Sequence, residues 1–144
     1  SSDVCSSDLM AAAVADHRPA QRLDHKPDKA SLAAVMAAGW QPVPDLLVEL
    51  VQQKPSGQAI LGFAAHSGDV LPQARAKFAR KGCDLLFANP IDQPGSGFGA
   101  ATNQGWLLGP GEACQRLEPM GKLPLAHQLL TALGRCCAGS GGHG

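Results

Sequence analysis

The residues best suited to chemistry in this chain are an acid and a base close to its N-terminus. A run of small residues, Ala11–Ala15, leads directly to Asp16, and Lys26 follows after a short interval. A carboxylate binds a hard cation through oxygen, and a lysine offers phosphate a mobile positive charge. The two residues could therefore hold a polyphosphate and its divalent cation. Taken alone, the spacing favours a turn aspartate and a surface lysine.

Two further basic residues, Lys77 and Lys81, lie one helical turn apart in a segment predicted to be helical. The two side chains share one face of that helix, next to the apolar Ala74. Two ammonium groups at the edge of a core repel each other unless an anion neutralises them, so phosphate binding is one interpretation. A solvated helix flank beside Arg75 and Arg80 is the other, and spacing alone favours it.

Two short apolar runs at the centre of the chain, Ala59–Ala65 and Asp84–Asn89, predict buried strands. Apolar residues recur at helical spacing between them, and Gly82 suits the end of that helix. A strand, a helix and a second strand form a βαβ unit, whose strands are parallel. Ligands gather at the carboxyl ends of such strands.

Three side chains near these carboxyl ends could meet a ligand, and we expect Phe63, His66 and Asn89 at one rim of the sheet. The Asn89 amide could bind a ligand or cap the next turn, and capping is favoured. Neither His66 nor His17 adjoins a Ser or Cys in a recognisable nucleophile motif, which favours non-catalytic roles. The segment Gly95–Gly99 does not join a strand to a helix, so we predict a mobile surface loop rather than a phosphate loop.

Further elements are predicted on both sides of this unit. A helix is expected from Pro44 to near Pro55, and Ala30–Ala38 also favours a helix. The apolar segments Trp106–Leu108 and Gln115–Leu117 flank a Gly-Pro-Gly turn and predict a hairpin. The apolar face of a last helix is assigned to Leu125, Leu129, Leu130 and Leu133.

Length and charge limit the class of protein. The 144 residues fit one domain, and 12 basic with 12 acidic residues give a formal net charge of zero. A broad attraction to nucleic acid or membrane is therefore not expected. No signal sequence or apolar span of about 18 residues occurs, and the five cysteines lack disulfide or zinc spacing. These features predict a cytoplasmic protein.

The two ends of the chain differ from the centre. Ser1–Asp3 recurs as Ser6–Asp8, which is typical of a translated adapter, so we expect residues 1–9 to be a non-native leader. Residues 135–144 are rich in glycine and predict a flexible tail. The predicted domain is thus 10–134, an α/β domain with a mainly parallel sheet followed by a hairpin and a helix.

The order of the segments matters more than any one of them. These segments are distributed between Met10 and about Leu133. They are Val14–Pro19, Lys26, Pro44–Leu47, Gly62–Ser67, Lys77, Lys81, Ala88–Asn89 and Phe98–Asn103. In this order, the segments resemble those of the phosphopantothenate cysteine ligase family. Such a ligase is often the C-terminal half of a bifunctional decarboxylase/ligase of coenzyme A biosynthesis. The family pattern contains Val-Ala-Asp-Tyr-Arg-Pro, a lysine, Pro-Asp-Ile-Leu, Gly-Phe-Ala-Ala-Glu-Thr, two helical lysines, Ala-Asn and Phe-Gly-Ser-Asp-Thr-Asn.

The resemblance implies a truncated Rossmann-like fold and a nucleotide site, with CTP as the nucleotide in bacterial members. It implies nucleotide contacts by Asp16, Lys26, Pro44, Asp45, Leu46, Leu47, Phe63, Lys77 and Lys81. It further implies that Lys26 is catalytic and that Asp16 binds Mg²⁺ through the nucleotide phosphates. Ala15, Asn89 and Asn103 are expected near the pocket. FMN is implied only for the decarboxylase half, which this chain does not contain.

The resemblance also implies a reaction and its partners. The family activates the carboxylate of 4′-phosphopantothenate as an acyl-cytidylate with release of pyrophosphate, and the amine of cysteine then displaces CMP. Mg²⁺ and lysines offset phosphate charge while the site aligns the reacting groups. The family forms homodimers, but 28–40 lacks the alternating pattern of the family's dimerisation strand, so a dimer is not assumed.

Several departures from the family pattern affect these expectations. His17 replaces a tyrosine, His66-Ser67 replaces Glu-Thr, and Ala100-Ala101 replaces Ser-Asp. The family's first strand, its glycine-rich turn and the loop that holds phosphopantothenate have no counterpart before Met10. We therefore expect the chain to require a missing N-terminal ligase half, with a decarboxylase domain as a further partner, and to be inactive alone. The alternative is a non-catalytic nucleotide-binding or regulatory module.

Overall fold

The computed structural model describes residues 15–20, 22, 24, 28–96 and 99–139. The chain divides into two compact units, Ser1–Asp45 and Leu46–Gly144, and each is described by itself. The segment 1–9, predicted to be a leader, lies outside the described residues.

The first unit contains two short strands and a helix. Its elements are β1 (His17–Pro19), α1 (Lys29–Ala37) and β2 (Trp40–Pro42). The strands are antiparallel, with His17 opposite Pro42. Helix α1 confirms the helix predicted over Ala30–Ala38. The two strands were not predicted, because three residues are too few to show an alternating pattern.

Helix α1 begins at a side-chain cap. Asp28 Oδ1 accepts hydrogen bonds from the Ser31 backbone N–H at 2.7 Å and from Ser31 Oγ at 2.8 Å. These bonds lower the pKa of Asp28, the backbone N–H of Ser31 being the largest cause, because they stabilise the charged carboxylate. Beyond the helix, Gly39 adopts a φ of 96°, which lets the chain turn into β2.

The second unit is a four-stranded sheet with helices on both faces. Its elements are α2 (Leu46–Gln53), β3 (Leu61–His66), α3 (Val70–Lys81), β4 (Leu85–Pro90), β5 (Thr102–Leu108), β6 (Cys114–Gly121) and α4 (Lys122–Gly139). The strand order is β3-β4-β5-β6.

The central βαβ unit is as predicted. Strands β3 and β4 are adjacent and parallel, and Phe63 lies opposite Phe87. Helix α3 ends where Gly82 takes a left-handed conformation with φ 68°, and its N–H donates to Phe78 O at 3.1 Å. The chain can therefore leave the helix and enter β4 directly.

The prediction of a mainly parallel sheet was wrong. The pairs β4-β5 and β5-β6 are antiparallel, so this sheet is mixed with mostly antiparallel pairing. Parallel neighbours need a crossover connection, and α3 supplies one between β3 and β4. The chain reverses without such a helix after β4 and again between β5 and β6, where the predicted hairpin is confirmed.

The side chains of β4 alternate between two cores. Leu86 packs in a cluster with Ala74 of α3, while Phe87 packs in a second cluster with Leu129 of α4. Leu86 and Phe87 are the largest fully buried side chains among the described residues. A strand covered on both faces must be apolar at successive positions, which explains the continuous apolar run in the sequence.

The apolar face predicted for the last helix, α4, was partly wrong. Leu125 and Leu129 are buried, and Leu133 packs against them, but Leu130 is 55% exposed. Five residues of helix rotate the side chain by about 140° from Leu125, which carries Leu130 away from the sheet. The helix continues to Gly139, into the segment 135–144 that the sequence predicted to be a flexible tail.

Strands β4 and β5 approach each other closely at Gly105. A Cβ atom at this position would lie 2.2 Å from Ala88 O and 3.0 Å from the Phe87 ring. Glycine is therefore required for the packing of this part of the sheet.

Candidate functional site

The carboxyl ends of β3 and β4 meet at one edge of the sheet. Ala65 lies opposite Asn89, His66 lies opposite Pro90, and the Ile91 N–H donates to His66 O at 3.0 Å. His66 and Asn89 thus share the rim that the sequence predicted, whereas Phe63, also expected there, lies in the middle of β3. Because successive strand residues alternate, their side chains project from opposite faces of the sheet.

Phe63 is exposed on the face that carries Phe87. Its side chain is 62% exposed, and its ring meets that of Phe87 edge to face, with centroids 6.1 Å apart and an interplanar angle of 73°. The buried ring of Phe87 thus supports one edge of Phe63 and leaves much of it open. An aromatic group held this way can contact a planar ligand.

The lysine pair lies in the layer on the other face. Lys77 and Lys81 are half-buried on α3, whose Ala74 packs against the sheet together with Leu86 and Ala88. Among the residues that the structure describes, Lys77 forms no ion pair. The sheet therefore separates Phe63 from Lys77, and the structure does not bring these two predicted nucleotide contacts to one surface.

His66 faces the same layer as Lys77. Its Nε2 atom is buried and has no hydrogen-bond partner. The pKa of His66 is lowered, first by burial and then by the positive charge of Lys77, while a hydrogen bond with Gln73 acts in the opposite direction. Burial and the charge of Lys77 thus both disfavour the protonated form of the imidazole.

A cavity of about 200 Å³ opens near the start of α3, and sequence reasoning missed it. Gln104, Trp106, Arg116 and Asp69 are among its lining residues. Gln104 is only 9% exposed, and the Arg116 guanidinium lies 5.6 Å from the centroid of the Trp106 ring. The period-2 alternation along β5, which puts Gln104 and Trp106 on one face, was the available signal.

The two asparagines expected near the pocket make bonds to nearby atoms. Asn103 Oδ1 accepts from the Gln104 N–H at 2.9 Å and lies 3.1 Å from Ser96 Oγ. Asn89 Nδ2 lies 3.4 Å from Pro90 O, a long hydrogen bond. Asn103 therefore helps to shape the start of β5, and Asn89 keeps most of its donor capacity.

In the first unit, backbone pairing joins two of the predicted segments. The Val43 N–H donates to Asp16 O at 2.9 Å, so Asp16 adjoins the residue that precedes Pro44. Ala15, Asp16, Pro44 and Asp45 are all exposed. Lys26, the predicted catalytic residue, lies outside the described residues.

The remaining predicted contacts begin the second unit. Helix α2 starts at Leu46, two positions after Pro44, where the sequence placed its start. Leu46 is exposed, whereas Leu47 packs against the core beside α3. A Cβ atom on Gly62 would lie 2.9 Å from Leu47 Cδ2, so the Leu47 side chain is used in packing.

The side chains that could bind a metal ion suit a cation that arrives together with a ligand. Within the described part of the chain, no three His, Cys, Asp or Glu residues cluster as metal ligands. Asp16 offers one exposed carboxylate. Mg²⁺ commonly keeps its waters and binds through one or two carboxylates plus substrate phosphates, which a single aspartate fits.

A parallel βαβ unit, continued by an antiparallel hairpin and covered by helices on both faces, defines an α/β domain. Residues 2–136 match the family model described as DNA/pantothenate metabolism flavoprotein C-terminal domain, and the chain belongs to this family. The match includes most of the segment 1–9, whose assignment as a leader stays a prediction.

The chain is similar to part of several bifunctional proteins. It is 38% identical over 140 residues to the Coenzyme A biosynthesis bifunctional protein CoaBC of Mycobacterium tuberculosis, covering 91% of this chain and 33% of the relative. The Bacillus subtilis protein of the same name is 34% identical over 125 residues, covering 87% and 30%. The chain thus spans about a third of the length of these relatives.

Solved structures show the same fold. The C-terminal domain of a CoaBC protein superposes with a TM-score of 0.60 at 26% identity, covering 86% of this chain and 52% of that chain. A Cab2 variant in complex with phosphopantothenate-cysteine has a TM-score of 0.53 at 16% identity, covering 71% and 33%, and supports the fold alone. No described helix is long and apolar enough to cross a membrane.

Proposed function

We propose that this chain is the C-terminal portion of the ligase domain of a phosphopantothenate cysteine ligase, with a Rossmann-like fold. The observation that carries the proposal is the family match over residues 2–136, together with 38% identity to a bifunctional coenzyme A biosynthesis protein. Because the chain spans about a third of that relative, activity is proposed for the full-length encoded protein.

The proposed reaction has two balanced steps. A carboxylate oxygen of 4′-phosphopantothenate attacks the α-phosphorus of CTP, the bond to the β-phosphate breaks, and pyrophosphate leaves. The amine of cysteine then attacks the acyl carbon, the bond to CMP breaks, and an amide forms as the amine loses a proton. Alignment of the reacting groups and charge compensation on the phosphates supply the rate enhancement.

Each residue that the resemblance implicates has a proposed role in this reaction. Asp16 would hold Mg²⁺ carried by the nucleotide phosphates, and Lys26 would act at the reacting phosphate. Nucleotide contacts are proposed for Pro44, Asp45, Leu46, Leu47, Phe63, Lys77 and Lys81. Ala15, Asn89 and Asn103 would border the pocket.

Two local features support these roles. Lys77 is half-buried without an ion pair among the described residues, and such a lysine is well suited to an anionic ligand. The exposed ring of Phe63 offers a flat apolar surface. Since the sheet separates the two residues, a nucleotide that contacts both would have to extend around its edge.

The test uses the full-length encoded protein with CTP, Mg²⁺, 4′-phosphopantothenate and cysteine. We expect phosphopantothenoylcysteine by mass spectrometry and one pyrophosphate for each amide formed. Without cysteine, each enzyme molecule should release only about one pyrophosphate, because the acyl-cytidylate then has no amine to react with. ATP in place of CTP is the matched control for the nucleotide.

The alternative makes a different forecast for the same experiment. A non-catalytic nucleotide-binding module would bind CTP, as measured by calorimetry, without forming amide or pyrophosphate. Absence of both binding and product would reject the ligase and the module together.

A further inference from the structure

The cavity near the start of α3 contains a buried polar side chain without a partner. Gln104 is 9% exposed, and its side-chain amide makes no hydrogen bond among the described residues. In the described part of the chain, His66 Nε2 is the one fully enclosed side-chain polar atom that lacks a partner, so the Gln104 amide remains open to the cavity that it lines. A buried amide without a partner is unfavourable, and a polar ligand would satisfy it.

The start of α3 adds a carboxylate and a backbone donor that the helix itself does not use. Asp69 is the N-cap residue, but its side chain makes no capping hydrogen bond. An N-cap aspartate usually accepts from the second or third N–H of the helix, and the third residue here is Pro72, which has no N–H. The Val70 N–H lies in the first turn and therefore has no acceptor within the helix. Asp69 and Val70 both line the cavity.

Strand register places a positive charge on the opposite side of the cavity. Arg116 of β6 is the register partner of Trp106 of β5, and its guanidinium lies 5.6 Å from the centroid of the Trp106 ring. Both residues line the cavity together with Gln104. Arg116 also forms an ion pair with Glu118 at 3.2 Å, but both side chains are exposed, and such pairs contribute little. The carboxylate of a ligand can therefore replace Glu118.

The size and the charges of the cavity limit the class of ligand. Its volume of about 200 Å³ is smaller than the roughly 300–1,000 Å³ typical of sites for drug-sized ligands and cofactors, so a whole nucleotide does not fit. Its lining carries one negative charge, on Asp69, and one positive charge, on Arg116. Asp69 repels a simple anion and Arg116 repels a simple cation, whereas a zwitterion meets an opposite charge at each end.

We propose that this cavity binds a small zwitterionic α-amino acid. Its carboxylate contacts Arg116 and the Val70 N–H, and its ammonium group contacts Asp69. The Gln104 amide completes the hydrogen bonds, and the Trp106 ring contacts the ligand's side chain. The proposal goes beyond the proposed function, because none of the residues assigned to the nucleotide pocket lines the cavity. Two sources supply such a ligand: the cysteine that the proposed reaction consumes, and free amino acids that it does not consume.

The first measurement follows the Trp106 signal by fluorine NMR in the full-length encoded protein labelled with fluorotryptophan, with the signal assigned by its loss in Trp106→Phe. L-Alanine and L-cysteine are the probes, and ethylamine and propionate each lack one charged group of alanine. We expect both amino acids to shift the signal and alanine to bind at least about tenfold more tightly than either analogue, because each analogue loses a charged hydrogen bond. No shift with either amino acid at millimolar concentration, or analogues that bind as tightly as alanine, would overturn the inference.

Charge variants locate the two ends of the ligand. Arg116→Gln should weaken alanine binding by about tenfold or more without weakening that of ethylamine, because only the carboxylate loses its partner. Asp69→Asn should weaken alanine binding to a similar extent without weakening that of propionate. Arg135→Gln removes an exposed arginine from α4 and is the matched control. Wild-type affinity for alanine in both cavity variants would contradict the proposed site.

The variant Gln104→Met distinguishes a ligand contact from a structural role. It keeps the approximate size of the side chain and removes the amide, which has no partner among the described residues. The free energy of unfolding should therefore not fall, whereas alanine binding should weaken several-fold. A loss of stability with unchanged alanine binding would show that the amide serves the fold alone and would count against the inference. If Gln104→Met does not fold, the titrations of the wild type decide.

Steady-state kinetics of amide formation distinguish the two sources of the amino acid. If the cavity holds the cysteine that is consumed, Arg116→Gln raises KM for cysteine, leaves KM for CTP unchanged, and alanine competes with cysteine. If it holds a free amino acid, both KM values stay unchanged while the variant loses alanine binding.

The outcomes also separate this inference from the proposed function. Alanine binding by a protein that forms no amide would reject the proposed function and leave the amino-acid site standing. Amide formation without any shift of the Trp106 signal would reject the amino-acid site and leave the proposed function standing.

Discussion

Lys54 Nζ lies 2.6 Å from both carboxylate oxygens of Asp84 and so ties the segment after α2 to the start of β4. The same carboxylate accepts from the Ile60 N–H at 2.7 Å. Asp84→Ala should lower the free energy of unfolding by about 1–3 kcal/mol, because it removes these acceptors from partly buried donors. Urea denaturation measures the loss. Glu118→Ala, which removes an exposed ion pair with Arg116, should change stability by less than about 1 kcal/mol.

Gly105→Ala should destabilise the protein by about 3 kcal/mol or more, because its Cβ would overlap the backbone of Ala88. The matched substitution is Gly134→Ala on α4, where nothing lies within 4 Å of the added Cβ. That change should stabilise the protein by about 0.5–1 kcal/mol through the helix propensity of alanine. Equal thermal midpoints for the two variants would contradict the close approach of β4 and β5.

Leu129→Ala should lower the free energy of unfolding by about 2–5 kcal/mol, because it leaves a cavity against Phe87. Leu130→Ala, one residue further along α4, should change it by less than about 1 kcal/mol because that side chain faces solvent. Chemical denaturation of the two variants compares them directly. A larger loss for Leu130→Ala would show that α4 presents a different face to the sheet.

The lowered pKa of His66 gives stability a defined dependence on pH. Its pKa lies below the ordinary value of 6.5 in the folded protein, so between these two values the unfolded chain binds more protons. The free energy of unfolding should therefore decrease as the pH falls below about 6.5 toward the folded-state pKa. Urea midpoints across this range should vary less in His66→Gln than in the wild type. His127→Gln should retain the wild-type trend, and an identical trend in His66→Gln would argue against the effect.

Lys77→Ala and Lys81→Ala should each weaken CTP binding in the full-length protein by about 1.5–3 kcal/mol, the usual range for a hydrogen bond to a charged group. Calorimetry at low and high salt measures the change, and added salt should reduce the difference from the wild type. Arg80→Ala removes an exposed charge from the same helix and serves as the control. If all three variants bind CTP as tightly as the wild type does, the lysines form only a solvated helix flank.

The sequence predicted the elements whose patterns are local. The apolar run around Phe87 and the glycine stop at Gly82 correctly indicated a strand, a helix and a parallel neighbour. The direction of β5 could not be predicted in the same way, because the glycine-rich connection after Pro90 does not show whether the next strand is parallel or antiparallel to β4. Leu130 was misplaced because a run of leucines does not itself define the exact helix phase.

The candidate site was less accessible to sequence reasoning. Lys77 was singled out by its spacing and by the resemblance, but no pattern reveals that it forms no ion pair among the described residues. The unsatisfied nitrogen of His66 and the burial of Gln104 depend on atoms from several elements, and so appear only after the strands and α3 are assembled. Roles assigned by resemblance to Asp16 and Lys26 stay predictions.

Strand β4 has a neighbour on each side and a core on each face, and this determines how the second unit can open. Each of its backbone N–H groups faces either β3 or β5, and separating either neighbour would also open the cores in which Leu86 and Phe87 pack on opposite faces. Amide hydrogens of Leu86 and Phe87 should therefore exchange with solvent only when the whole unit unfolds. Their exchange rates report the global stability of the domain, whereas those at the end of α4 report local motion.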